Sequence, residues 1–163
     1  GSLMATSRVG FARSVQKRNC AAHEEGDFFA VLTRSAKGAN RLSQMIRNLV
    51  PGRRYVLEYA CSDLADVEHP GTEAQPDLAL RTEIVGMPFD GFYTVEDVLG
   101  GSGKKQPRVR SVRHVFRATA AEAELVFSDW ATETDPGGAV GRALALNYIA
   151  VTPYFEPAPG TLE

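Results

Sequence analysis

Apolar side chains in this chain recur at every second position and hardly anywhere at helical spacing. Tyr55, Leu57 and Tyr59 share one parity while Arg54, Val56, Glu58 and Ala60 take the other. Val112, His114, Phe116 and Ala118 alternate in the same way with Arg113, Val115 and Arg117. A period of two puts one set of side chains on one face of a β-strand and the rest on the opposite face. Phe28 to Thr33, Leu42 to Arg47, Leu78 to Val85, Ala123 to Phe127 and Leu144 to Val151 read as strands as well. In the last run Leu144 and Leu146 share one parity and Ile149 and Val151 the other, which predicts a β-bulge near Asn147. Strands with one apolar face each must bury those faces against one another. The expected fold class is therefore all-β, a two-sheet antiparallel β-sandwich.

The connections are polar. Pro51-Gly52 predicts a type II turn, proline fixing φ and glycine accepting a positive φ, and Leu42 to Asp63 around it reads as a two-strand element with one apolar face. Thr119 to Glu122 predicts a hairpin link between its flanking runs. Three long connections are expected: Leu64 to Gln75, Met87 to Arg108 with its Gly100-Gly101-Ser102-Gly103, and Ala131 to Gly141 with its Asp135-Pro136-Gly137-Gly138. Loops of this length in a compact domain are often functional.

A chain of 163 residues that is 44% hydrophobic can bury one sizeable core. We expect a single domain over residues 21–153. Residues 1–20 would form an N-terminal segment with room for a first strand, opened by a remnant-like Gly1-Ser2-Leu3-Met4, and residues 154–163 a tail or linker. A net charge of -2 and a pI near 6.0 supply no field for phosphate backbones or anionic lipid. No run approaches the roughly 18 apolar residues of a membrane helix, so neither a nucleic-acid nor a membrane partner is expected. Cys20 and Cys61 have neither zinc-ligand spacing nor a disulfide framework. The two can be buried thiols or a single bridge.

Catalytic constellations are not found. His23, His69 and His114 lack metal-ligand spacing, and the glycine run ending Lys104-Lys105 lacks the Gly-Lys-Ser/Thr of a phosphate loop. The pairs Glu24/Glu25 and Glu122/Glu124 would serve glycoside hydrolysis only across a cleft about 5 to 10 Å wide. The chain is not expected to be an enzyme. His114 shares the core parity and is expected to be a hydrogen-bonded core histidine.

Other residues suit binding. Trp130 ends a strand beside Asp129 at the mouth of the 131–141 loop, where an indole can stack on a sugar ring while a carboxylate takes its hydroxyls; the competing reading is a plug at the end of the sandwich. Phe92 and Tyr93, in the Met87 to Arg108 connection, make a similar case. Glu58, Arg81, Glu83, Arg113 and Arg117 lie opposite the core parity. On neighbouring strands they would form either an arginine-rich face for an acidic sugar or acidic protein segment, or a solvated face of cross-strand pairs.

The order of motifs carries a resemblance. Glu25-Gly26-Asp27 leads into Phe28 to Leu32. There follow LSQMIRNLVPGRRYVLEYACSD, LALRTEIVG, VRHVFRATAAEAELVFSDW and ALNYIAVTP. Over roughly residues 21–153 this resembles the galactose-binding-domain-like jelly roll shared by many carbohydrate-binding modules and by the plant cell-wall family known as DUF642. The matching pieces are a Gln-x-hydrophobic strand, Leu-x-Pro-Gly-x-x-Tyr, a Phe-x-Ala strand and a closing Leu-Asp-x-hydrophobic strand. Asn147 stands where the family has its final Asp, and the cysteines usual in the plant proteins are not at matching places.

The resemblance implies a non-catalytic carbohydrate-binding module, extracellular, cell-surface or periplasmic, acting as an accessory domain of a larger or secreted protein. Its partners would be a glycan or polysaccharide and the other domains of the parent. The alternative on the same fold is a protein-interaction or spacer domain. Related modules hold a structural calcium near their first and last strands, which here would fall to Glu25, Asp27 and Asn147.

Overall fold

The computed structural model describes residues 2–5, 28–69, 79–98 and 108–155. Glu25, Asp27, Cys20, the glycine run at 100–103 and most of the tail lie outside the described residues. Among those described, nine strands and one short helix follow in the order β1 (Ser2–Ala5), β2 (Phe28–Thr33), β3 (Arg41–Ile46), β4 (Arg54–Asp63), α1 (Leu64–Glu68), β5 (Arg81–Ile84), β6 (Phe89–Val98), β7 (Arg108–Arg117), β8 (Ala123–Ser128) and β9 (Ala143–Pro153). No helix among them is long and apolar enough to cross a membrane.

The strands form a large sheet in the order β1-β2-β9-β4-β7-β6 and a small sheet in the order β3-β8-β5. Every pairing is antiparallel. The chain passes from one sheet to the other at nearly every connection, so β2-β9-β4-β7 faces β3-β8-β5 in the winding of a jelly roll. Between the sheets lies the main core. Leu57 and Phe116 are fully buried, and Tyr55, Tyr59, Val112, Leu125, Phe127 and Leu146 surround them. Tyr55 stacks on Phe116 at 5.7 Å, and Tyr59 meets Phe127 edge to face at 5.1 Å. Each buried tyrosine also finds a hydroxyl partner: Tyr55 Oη accepts from Val50 N at 2.9 Å, and Tyr59 Oη lies 2.9 Å from Thr82 Oγ1.

Two of the expected local pairings are corrected. β3 and β4 do not pair with each other, because Pro51-Gly52 is a corner between the sheets. The turn itself is as expected, with Gly52 at φ 85 and Arg53 N bonded to Val50 O at 3.0 Å. Likewise 119–122 closes no hairpin, since it carries the chain from β7 in the large sheet to β8 in the small one. The two corners lie together, joined by Leu49 N to Ala121 O (2.9 Å), Gly52 N to Ala118 O (2.7 Å) and Ala118 N to Arg53 O (2.9 Å). Each corner therefore supplies the backbone partners that the other needs.

The expected bulge is present. Between the pairs Glu58↔Ala150 and Ala60↔Asn147, β9 carries one more residue than β4, and Tyr148 takes φ 53. Asn147 Oδ1 accepts from Tyr148 N at 2.7 Å and holds that conformation.

Three expected loops or ends are partly structured. The Met87 to Arg108 connection contains β6, an edge strand paired with β7 at every residue but Asp90. Its register slips between Phe89 and Gly91, which breaks the alternation that would have marked it as a strand. Leu64–Glu68 forms α1, capped by Asp63, whose Oδ1 accepts from Ala65 N at 2.7 Å. Ser2–Ala5, read in part as a remnant, pairs with β2, and beyond Pro153 the chain stays on the sheet through Tyr154 N to Arg54 O at 3.0 Å.

Candidate functional site

The outer face of the large sheet is covered at one end and bare at the other. Val67 of α1 lies over Phe29, Val31, Ala60, Val109 and Ala145, closing a second apolar cluster. On the bare stretch, cross-strand register sets out three rows of side chains. Gly91, Val115, Val56 and Thr152 follow one another across β6, β7, β4 and β9. Beside them run Tyr93, Arg113, Glu58 and Ala150. On the other flank lie Arg117, Arg54 and Tyr154, with Asp90, the extra residue of the β6 bulge, 3.6 Å from Arg54 Nε. Small and aliphatic side chains thus floor a groove whose walls are aromatic and charged.

This groove, lined also by Phe92 at its β6 edge, has a volume of ≈ 350 Å³, within the range of ligand sites. Four strands at about 4.8 Å spacing give it a length of roughly 14 Å. Gly91 keeps the floor low: a Cβ there would stand 3.8 Å from Val115 Cβ and rise into the groove. Tyr93 is 59% exposed, and Tyr154 is half-buried at the opposite corner. The charges are largely paired. Arg113 Nε bonds Glu58 Oε1 at 2.5 Å, and Arg117 Nη1 donates to Gly52 O at 2.6 Å.

The residues picked from the sequence separate into distinct places. Glu58, Arg113, Arg117 and Tyr93 come together in the groove. Arg81 and Glu83 do not join them, because β5 belongs to the small sheet. There Arg81 and Arg41 grip the two oxygens of Glu133 from the 131–141 loop. The hydrogen bond from Arg81, followed by the charges of both arginines, holds the Glu133 carboxyl below its ordinary range.

The geometry of Trp130 is that of the plug. Its side chain is buried, and its indole N–H donates to Ser35 O at 3.1 Å. Asp129 is fully buried, with its carboxylate accepting from Asn40 N at 2.8 Å and Asn40 Nδ2 at 2.7 Å. Arg34, unnoticed in the sequence, is buried beneath them and donates to Asp129 O (2.7 Å) and Ala79 O (3.0 Å). A guanidinium spending its donors on loop carbonyls is a fastening for that end of the sandwich. The ring and carboxylate that looked suited to a sugar are used to close the fold.

The Asn147 side chain serves the β9 bulge. Its Oδ1 is taken by the bulge, and the buried atom left without a hydrogen-bond partner is Nδ2, a donor. Among the described residues no three His, Cys, Asp or Glu side chains are placed to hold a metal ion.

Two features were missed. Tyr154 falls in the expected tail, where its only sequence signal is the aromatic pair Tyr154-Phe155 after Pro153. A smaller cleft opens on the inner side of β6 and β7 beside His114. That histidine is core, as expected, with Nε2 3.3 Å from Tyr59 Oη and its ring stacked on Phe89 at 4.1 Å. Burial lowers it to about 4, and burial also pushes the free Cys61 thiol up to about 12. The chain matches no protein-family model, no curated protein and no solved structure.

Proposed function

We propose that this protein is a non-catalytic carbohydrate-binding module whose site is the open groove on the outer face of the large sheet. The observation that carries the reading is the juxtaposition of Tyr93, Tyr154 and the Glu58–Arg113 pair around a floor of Gly91, Val115 and Val56. Aromatic faces cover the C–H surface of a sugar ring, and a carboxylate beside a guanidinium offers both acceptors and donors to its hydroxyls. Because Glu58 and Arg113 neutralise each other, the groove favours an uncharged glycan over the acidic one that an arginine-rich face would select. Glu58 is engaged as an ion-pair partner, an arrangement suited to holding a ligand rather than to moving a proton. The extracellular setting and the accessory role follow from the resemblance of the sequence to sugar-binding jelly rolls.

Native gel electrophoresis through soluble neutral polysaccharides tests the reading. Retention by at least one of them is expected, together with its loss in Tyr93→Ala at an unchanged thermal midpoint, since an exposed ring contributes within about 0.5 kcal/mol to the fold. A folded protein retained by none of a broad neutral panel would sink this reading in favour of a protein-interaction or spacer domain.

A further inference from the structure

The inner side of β6 is left partly uncovered. The small sheet ends at β5, and Phe92, which faces His114 in register, is 66% exposed although it points to the inner side. Between β5 and this overhang a cleft of ≈ 100 Å³ reaches Tyr59, Thr82, Thr94 and His114, with Phe92 at its lip and Arg110 at its end. Its floor is a chain of polar groups, Thr82 Oγ1 2.9 Å from Tyr59 Oη and Tyr59 Oη 3.3 Å from His114 Nε2. Burial keeps these groups uncharged at neutral pH, lowering His114 to about 4 and raising the Tyr59 phenol above its ordinary value.

We propose that this cleft is a second ligand site, on the opposite face of the sheet from the outer groove and meeting it only at Phe92, which takes the hydroxylated edge of a single neutral sugar ring or small polyol against Phe92. Size and chemistry both select that class. At ≈ 100 Å³ the cleft is less than a third of the groove's ≈ 350 Å³, so it admits a diol or hydroxymethyl group, and the remainder of the ring lies on Phe92. The hydroxyls of Tyr59, Thr82 and Thr94 each combine a donor with spare acceptor capacity, which is what a vicinal diol requires of its partners. A diol replaces the water that such groups would otherwise hold and leaves none of them unpaired. The inference stands on the inner side of the sheet and does not depend on what occupies the groove.

Heteronuclear NMR titration of the full chain with glycerol and with neutral aldoses tests it, alongside polysaccharide retention. Saturable shifts are expected at Tyr59, Thr82, Phe92 and His114, with Val56 and Tyr154 on the outer face unmoved. Thr82→Val, which keeps shape and removes the hydroxyl, should weaken the small ligand roughly fivefold or more without a change in circular dichroism and with polysaccharide retention intact, since Thr82 lines the cleft and not the groove. Tyr93→Ala should abolish polysaccharide retention and leave the small ligand bound. Phe92→Ala should weaken the small ligand as well, Phe92 being the ring at the lip of the cleft. Retention of polysaccharide with no saturable shift around His114 overturns the second site and leaves the groove reading standing. Shifts driven by acetate and not by glycerol or the aldoses overturn the neutral class and point to Arg110. Loss of polysaccharide retention in Thr82→Val, or of the small ligand in Tyr93→Ala, overturns the separation of the sites.

Discussion

The two ends of the outer face of the large sheet are built on the same strands and end up in opposite environments. At one end β4 contributes Ala60 and β7 contributes Val109, and both are buried under α1. Four residues before Ala60 and six after Val109, the same strands contribute Val56 and Val115, which are paired with each other and half-buried in an open groove. The cause is local to the end of β4. Asp63 caps α1 and turns the chain back over the sheet, and Asp66 pins the helix there, its Oδ2 accepting from Arg108 N at 2.7 Å. No comparable element folds back over the other end among the described residues, because β4 enters from the Pro51-Gly52 corner and β7 leaves into 119–122. The outer face of a sandwich is open to solvent by default, so apolar side chains left bare there between tyrosines need a reason other than packing.

The sharpest way to break this comparison is to empty the covered end. Phe29 is 4% exposed in the outer cluster, and Phe29→Ala should cost about 3–5 kcal/mol by urea denaturation, through lost burial and a residual cavity. The exposed ring of Tyr93 should cost within about 0.5 kcal/mol by the same measurement. Similar losses at the two positions would mean that the groove is as much core as the covered end.

Alternation in the sequence was enough to sort inner from outer side chains on β4, β7 and β9, including the bulge at Asn147. It did not show which strands share a sheet, since a period of two specifies a face and leaves the partner to long-range pairing. That is why the corners at Pro51-Gly52 and 119–122 read as pairings within a sheet, and why Arg81 seemed to stand beside Arg113. β6 was hidden by its own bulge, which sets Phe89 and Gly91 out of step, and it carries Tyr93 into the site. Trp130 and Asp129 drew attention by residue type and position, yet both are consumed by Ser35 and Asn40, partners about 90 residues away that no local pattern could reveal.

Acid should distinguish the ends next, because His114 lies on the inner side beneath the open end. Its burial holds it at about 4 in the folded chain, against 6.5 ordinarily. Above pH 6.5 both folded and unfolded chains carry it neutral, and it costs nothing. As the pH falls below 6.5 the unfolded chain takes up a proton that the fold refuses until about pH 4, so stability is lost across that window. Tyr59 and Cys61 stay protonated throughout and add no charge of their own. Urea denaturation at pH 7, 5.5 and 4 should show this loss in the wild type and a shallower one in His114→Leu. Equal slopes would place the acid sensitivity elsewhere.

The smallest effect on the fold should have the clearest effect on the groove. Glu58 and Arg113 form an ion pair in which Arg113 is 59% exposed, and such a pair is worth about 0.2–1 kcal/mol. Glu58→Gln keeps the shape of the side chain, so the melting curve should barely move. What changes is charge: the Arg113 guanidinium loses the carboxylate that neutralises it and faces the groove as a cation. The variant should then gain retention on a polyuronate that the wild type ignores. The gain should fade as added salt shortens the screening length from about 10 Å at 0.1 M to about 3 Å at 1 M. On neutral polysaccharide the variant should stay within a few-fold of the wild type, because the rings of Tyr93 and Tyr154 are untouched. A variant that gains nothing at low salt would show that Arg113 does not meet the ligand, and the binding surface would have to be moved off the Tyr93–Arg113–Glu58 row.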